Sequence, residues 1–380
     1  MQIPYQPWID WLKVLGMAVI IFGHSGGDDL IPMIFNPINP KQLGVCLFVF
    51  ATAFTLANET RRPLQVVYNR FFEVFVLGVL LAMFVSVVQW FRIGDINASN
   101  YLPFVFGLNV FWENAFPANP TTWYVGTYLH LLVAWAVALR FLPARWFILA
   151  GLLLIEVTVR SAFIHQANDF NAYMVFTSWL SVFFVGTYFG RLAGETRTAD
   201  SLKASAQGTA AENAKPRSPV SPATRRIGIA LAFAAMMFGW LAMVQGLGIT
   251  KSNPFGRIAV GDDVTTSLVT SLAVSVEYLV YTLLLYGFFV GIPANRFVRF
   301  LSQNTLFVFL AHMPFRDVVT PYYYSLSAGG WTRQLANFFV LFVLLACISH
   351  VIRHILSLAK LRRHVGNWLF GQHHVKASAE

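Results

Sequence analysis

Charge is scarce in this chain of 380 residues. Asp, Glu, Lys and Arg together make up 12%, about half the roughly 25% of an ordinary soluble domain. Cysteine is scarcer still: Cys46 and Cys347 are the two present. Both lie inside apolar stretches, which excludes a disulfide framework and a cysteine-based metal site and leaves the compartment unread. Walker-type loops, Rossmann glycine patterns, zinc spacings and serine-centred elbows are missing as well. What fills the chain instead is apolar: 57% hydrophobic and 16% aromatic residues, with 36 Phe and 11 Trp, and a mean hydropathy of +0.59. A water-soluble globule cannot hide that much apolar surface behind so few charges. The composition describes an all-α polytopic membrane protein.

Stretches long enough to cross about 30 Å of hydrocarbon as helices fall at roughly 8–25, 43–58, 66–90, 122–140, 146–164, 172–192, 226–246, 266–291, 300–318 and 334–356. That is about ten transmembrane helices. The aromatic segment 101–116 is expected to be re-entrant or interfacial rather than an eleventh span. The apolar run after Lys13 leads into His24 and "SGGDD" without a small-residue cleavage site, so it is expected to be a helix and not a signal peptide.

The net charge of +10 does not argue for nucleic acid, because the basic residues cluster between apolar runs. Alternating the spans puts 20 basic residues on one side, among them Lys13, Arg61, Arg62, Arg70, Arg140 and Arg145, and seven on the other: Lys41, Arg92, Arg160, Lys251, Arg257, Arg316 and Arg333. The positive-inside rule then makes both termini cytoplasmic. Residues 1–192 hold spans one to six. The Ala-, Ser- and Pro-rich stretch 193–225 is expected to be a flexible cytoplasmic linker, and 226–356 carries the remaining four spans. The basic tail 357–380 begins as an amphipathic helix suited to the inner leaflet. His373 and His374 are expected to belong to a solvated tail, and no metal is expected.

Ionisable residues within spans are costly and are candidates for function. The first span carries Asp10, Lys13 and His24. Eleven residues at about 100° each return Lys13 and His24 to within about 20° of one face, about 16 Å apart along the axis. Asp10 precedes Lys13 by three positions, so the two are expected to pair. The acid–base pair serves equally as an interfacial anchor. Imidazole is the side chain suited to remove a hydroxyl proton near neutral pH. In the ninth span, "FLSQNTLFVFLAHMPF", Thr305 and His312 share a face, with Ser302, Gln303 and Asn304 adding polar groups. From the residues alone His312 is equally a core histidine. Arg61, Arg62 and Arg70 flank the third span, where they suit either lipid anchoring or phosphate binding, and Glu73 is expected to pair with Arg70. Glu156, Glu277, His130 and His350 are expected to make packing hydrogen bonds. Trp123 and Tyr124 fit an aromatic belt.

Several blocks, in order, resemble the membrane-bound acyltransferase 3 family. "WIDWLKVLGMAVIIFGH" is similar to the family's opening helix, with Asp10, Lys13 and His24 on motif positions. "LFVFATAFTLA" resembles its second span, with Thr52 and Ala53 where Ser and Gly are usual. "TTWYVGTYL", "FFVGTYFGR" and "FLSQNTLFVFLAH" match later blocks, Thr305 replacing Ser and Phe309 replacing Tyr. Lys13 stands where many members carry Arg. It keeps the charge and loses the bidentate fork, as in a branch of sugar acetylases similar to fucose 4-O-acetylases. No soluble hydrolase-like domain follows the helices, so a stand-alone member is expected.

The resemblance implies an O-acetyltransferase of a cell envelope, in the bacterial inner membrane. An acyl-CoA donor, usually acetyl-CoA, enters from the cytoplasm, and a lipid-linked or polymeric saccharide accepts the acyl group. Lys13, Arg61, Arg62 and Arg70 are the candidates for the CoA phosphates. His24 is the candidate general base, with Asp10 positioning Lys13 and His312 orienting the acceptor or stabilising the oxyanion. Direct transfer and an acyl-histidine intermediate both stay open, as does acetyl against longer acyl groups. The rival class is a transporter or flippase for a sugar or lipid-linked saccharide. A third is a non-catalytic membrane scaffold.

Overall fold

A computed structural model describes residues 5–24, 40–94, 123–166, 169–206, 221–246, 263–324, 336 and 338–371. The segment 101–116, linker residues 207–220, and His373 and His374 lie outside the described residues. The described residues form helices and no strands.

In chain order the helices are α1 (Pro7–His24), α2 (Pro40–Leu56), α3 (Pro63–Ile93), α4 (Trp123–Val137), α5 (Trp146–His165), α6 (Asp169–Met174), α7 (Leu180–Ala206), α8 (Pro222–Gly246), α9 (Val264–Phe289) and α10 (Arg296–Tyr324). They are followed by α11 (Phe339–Leu356), whose first six residues, Phe339–Leu344, wind as a π-helix, and by α12 (Leu358–Phe370). Among the described residues, each expected span overlaps at least one helix. Of these, the segments Pro63–Phe84, Trp146–His165, Val264–Phe289 and Phe339–Leu356 are long and apolar enough to cross a membrane by themselves. Gln42–Leu56 and Trp123–Val137 are shorter apolar helices.

Local chemistry fixes several ends. Pro63 begins α3, where a missing N–H costs nothing, and Gly94 ends it in a left-handed turn at φ 71°, a conformation glycine adopts without penalty. Asp263 caps α9 by accepting from the backbone N–H groups of Thr265 (2.9 Å) and Thr266 (3.2 Å), the usual role of an acid at that position.

Two expectations from the sequence need correction. The sixth span is not continuous: α6 gives way to a 3₁₀ turn, Phe176–Trp179, before α7 begins. Side chains take up the released carbonyls. Thr127 donates to Met174 O, Ser178 to Ala172 O at 2.7 Å, Trp179 to Tyr173 O at 2.9 Å and Arg160 to Ser178 O at 2.6 Å. Irregular backbone inside a membrane protein requires such partners. The 193–225 stretch, expected to be a linker throughout, continues α7 as helix to Ala206. Its Ala, Ser and Lys residues suit a helix better than their lack of apolar periodicity suggests.

At the centre, α2 packs between α1 and α7, and small residues make this possible. A Cβ on Gly44 would stand 2.4 Å from Gly16 O, and one on Gly190 would stand 2.5 Å from both Ala57 Cβ and Phe54 O. These helices touch backbone to backbone, the close approach typical of membrane helices. A buried network joins α5 to α9. Arg160 and Glu156, both 0% exposed, pair at 2.8 Å. Arg160 also donates to Ser275 Oγ (2.6 Å) and Ser271 O (3.0 Å), and Glu156 accepts from Ser181 N–H (3.0 Å). Arg160, counted among the seven charges of the far side, is therefore buried within the helix bundle. A buried guanidinium group requires a cluster of acceptors of this kind.

Candidate functional site

Charged and polar side chains converge on a cavity of about 330 Å³ between α1, α2, α3, α4 and α10, within the roughly 300–1,000 Å³ of small-molecule sites. Lys13 lines it from α1, Thr52 and Thr55 from α2, and Arg70 and Glu73 from α3. Tyr124 and Tyr128 enter from α4, and Ser302, Gln303, Thr305 and Phe309 from α10. Arg353 of α11 and Arg362 of α12 complete the wall. Among the described residues, four cations thus face one carboxylate.

The first helix meets α10 at both ends of its polar stripe. Asp10, buried near the start of α1, accepts from the Ser302 hydroxyl at 2.5 Å and from the Tyr5 hydroxyl. No ion pair joins it to Lys13 among the described residues. The expected Asp10–Lys13 pair is therefore corrected: Asp10 turns to hydroxyls, and Lys13 turns to the cavity. At the other end the rings of His24 and His312 lie 5.1 Å apart, centroid to centroid, inclined at 57°. Arg316 donates to His24 O at 3.0 Å, placing a cation on the carbonyl that ends α1, where the helix dipole favours it.

His312 is fully buried. Its Nδ1 lies 2.7 Å from Phe309 O. A carbonyl only accepts, so this bond puts the ring proton on Nδ1 and makes Nε2 the basic nitrogen of the neutral imidazole. Phe309 connects this pair to the cavity. It lines the cavity wall, its ring lies 6.0 Å from that of His312, and Tyr124 packs on it at 5.1 Å. The order is therefore cationic cavity, Phe309, His312, His24. The π-wound start of α11 packs against α1 and α10, and Phe338 just before it stacks on Phe22 at 5.0 Å. Wide winding of this kind is frequent at functional sites.

The arginines divide. Arg70 lines the cavity, whereas Arg61 and Arg62 do not. Arg61 forks onto Glu59, with bonds of 2.8 Å and 2.5 Å. Burial pushes the Glu59 carboxyl up, yet the Arg61 hydrogen bonds outweigh it and hold it below the usual carboxylate range. Arg62 is exposed at the start of α3. The expected Arg70–Glu73 pair is also absent among the described residues. Glu73 instead meets Arg353 at 3.3 Å and Arg362 at 3.8 Å, because α11 and α12 bring two guanidinium groups to its side of α3.

Sequence reasoning missed those two arginines: Arg353 fell within the last expected span and Arg362 within the basic tail. It also misplaced Trp123 and Tyr124. They form no belt: Tyr124 is buried against Phe309, and Trp123 packs against Trp179 and Tyr173. The nearness of Tyr124 to Cys46 and α10 depends on long-range packing that hydropathy does not record.

No curated protein and no solved structure matches the chain. A family model described as an acyltransferase domain does match it, over residues 6–353, a range that takes in the His24–His312 pair and the residues named in the cavity wall except Arg362. The chain belongs to the acyltransferase 3 family and is a membrane acyltransferase.

Proposed function

We propose that the protein moves an acyl group, acetyl from acetyl-CoA, onto a hydroxyl of a cell-envelope or exported saccharide. In this reading both termini face the cytoplasm of a bacterial inner membrane, and so does the cationic end of the cavity. The observation that carries it is the His24–His312 contact, one aromatic ring beyond a cavity with four cations and one acid. CoA phosphates need fixed positive charge, which Lys13 and Arg70 provide. The pantetheine arm is thin and uncharged and suits the narrow polar wall of Thr52, Thr55 and Thr305.

At the far end the imidazole of His24 takes the proton of the acceptor hydroxyl as its oxygen attacks the thioester carbonyl. The C–O bond forms, the C–S bond breaks, and the thiolate leaves with the proton returned by the imidazolium. His312, fixed by its Nδ1–H bond to Phe309 O, orients that ring. Asp10 acts at a distance, holding α10 to α1 through Ser302. A lipid-linked or polymeric glycan would reach His24 from the opposite face of the membrane.

The test gives acetyl-CoA carrying a radiolabelled acetyl group to membranes containing wild type or His24→Ala, at matched protein levels. Alkali-labile label in lipid-linked or polysaccharide fractions with wild type, and none with His24→Ala, is the expected result. Equal labelling by both removes His24 from the chemistry. No labelling by either, together with no thermal stabilisation by CoA, favours a saccharide transporter.

A further inference from the structure

We propose that α12 is a clamp for the phosphates of the donor nucleotide, with Arg353 and Arg362 as the side chains that bind them. The inference rests on the acyl-CoA reading above and adds a part of the chain that the family match does not include. The matched region stops at Arg353, yet the next helix returns to the bundle and places Arg362 in the cavity wall.

The way α12 docks shows why it presents that residue. Ser357, between α11 and α12, adopts a left-handed conformation at φ 45° and ψ 45°, which turns the chain back sharply. The Tyr68 hydroxyl then donates to Arg362 O at 2.7 Å. Gly366 sits over the Tyr68 ring, where an added Cβ would stand 3.1 Å from Cε1. The Phe370 ring meets Tyr68 at 5.5 Å. Three consecutive turns of α12 are thus held by one tyrosine of α3, and the Arg362 backbone is fixed directly.

The charges at this mouth are out of balance. Among the described residues, Glu73 is the one carboxylate that meets both guanidinium groups, at 3.3 Å and 3.8 Å. Both contacts are longer than the roughly 2.7–2.9 Å of a formed charge-assisted bond. Arg353 Nε is buried and has no hydrogen-bond partner, a condition that calls for an explanation in a folded protein. All three side chains stay about a quarter to a third exposed, open to a ligand arriving from the cavity. Two guanidinium forks with one weakly held carboxylate between them suit an anion with several oxygens, and a phosphate is the simplest.

Phosphate can also come from a lipid. Leu361, Trp368 and Leu369 of α12 are exposed, as on a helix lying at a membrane surface. The experiment therefore uses the full chain in nanodiscs of phosphatidylcholine alone, with CoA titrated by calorimetry. Arg362→Ala is expected to weaken CoA binding at least tenfold, as for loss of a hydrogen bond between charged groups. Arg362→Lys should weaken it less, and Tyr68→Phe, which keeps the ring and loses the bond to Arg362 O, should weaken it measurably. If Arg362→Ala melts differently from wild type, the other two variants decide.

Unchanged CoA affinity in the variants, with wild type binding, overturns the clamp and leaves the donor reading standing. If wild type itself does not bind CoA, the donor reading fails and takes the clamp with it. Unchanged CoA affinity, with loss of the thermal stabilisation that phosphatidylglycerol nanodiscs give the wild type, assigns the arginines to lipid headgroups and overturns the proposal.

Discussion

His24 ends α1 and His312 lies in the middle of α10, yet their rings meet at 5.1 Å, and the residue that follows His312 by one turn, Arg316, holds the His24 carbonyl. Thus α10 holds the end of the helix that carries His24, and its own Phe309 carbonyl holds His312. In the proposed reaction the two act as a unit, and units of this kind give non-additive losses. His312→Ala should lower the acetyl-transfer rate by about 10²-fold, at the low end of general acid–base contributions, with KM for acetyl-CoA little changed. The His24→Ala/His312→Ala double variant should be no slower than His24→Ala alone. Rates that multiply would mean that the two rings work independently.

The Glu156–Arg160 pair offers a separate test of how the helices hold together. Removing one partner of a buried pair strands the other charge and costs about 3–5 kcal/mol. Glu156→Leu should therefore lower the thermal stability of the detergent-solubilised protein sharply. Glu156→Leu/Arg160→Leu should recover much of the loss, because no lone ion is left. A single variant as stable as wild type would show that the network contributes nothing.

Packing at the α1–α2 contact predicts a size effect. Gly44→Ala puts a methyl group 2.4 Å from Gly16 O and 2.6 Å from Ile20 Cγ1, and should destabilise by about 1–3 kcal/mol. Gly151→Ala in α5, where an added Cβ meets nothing within 4 Å, should leave the melting temperature unchanged or slightly higher. Equal melting of the two variants would contradict the backbone contact.

Hydropathy located the helices because apolar length is a property of each segment alone. The stripe of Asp10, Lys13 and His24 was legible for the same reason: one helix's periodicity puts the three toward α10. What Asp10 bonds was not legible. Lys13 was its neighbour in sequence, but Ser302 comes within 2.5 Å from a helix far along the chain, and a buried carboxylate takes the donors that tertiary packing supplies. Arg160 shows the same limit. Counting it among the far-side charges follows from its place near the end of a span, whereas its burial depends on Ser271 and Ser275 in α9. Arg362 went unseen because a basic amphipathic helix has the same sequence whether it lies on lipid or folds back onto α3.

The glycine contacts at the centre carry a mechanical consequence. Helices separated by a layer of side chains can slide as those side chains change rotamer, but Gly16 and Gly44 leave no such layer, and Gly190 leaves none against Ala57 and Phe54. Thus α1, α2 and α7 behave as one stiff wall carrying Lys13 and His24 at a fixed separation. Any opening that admits a ligand must come from outside these three helices, where the π-wound start of α11 and the Ser357 turn offer the compliance.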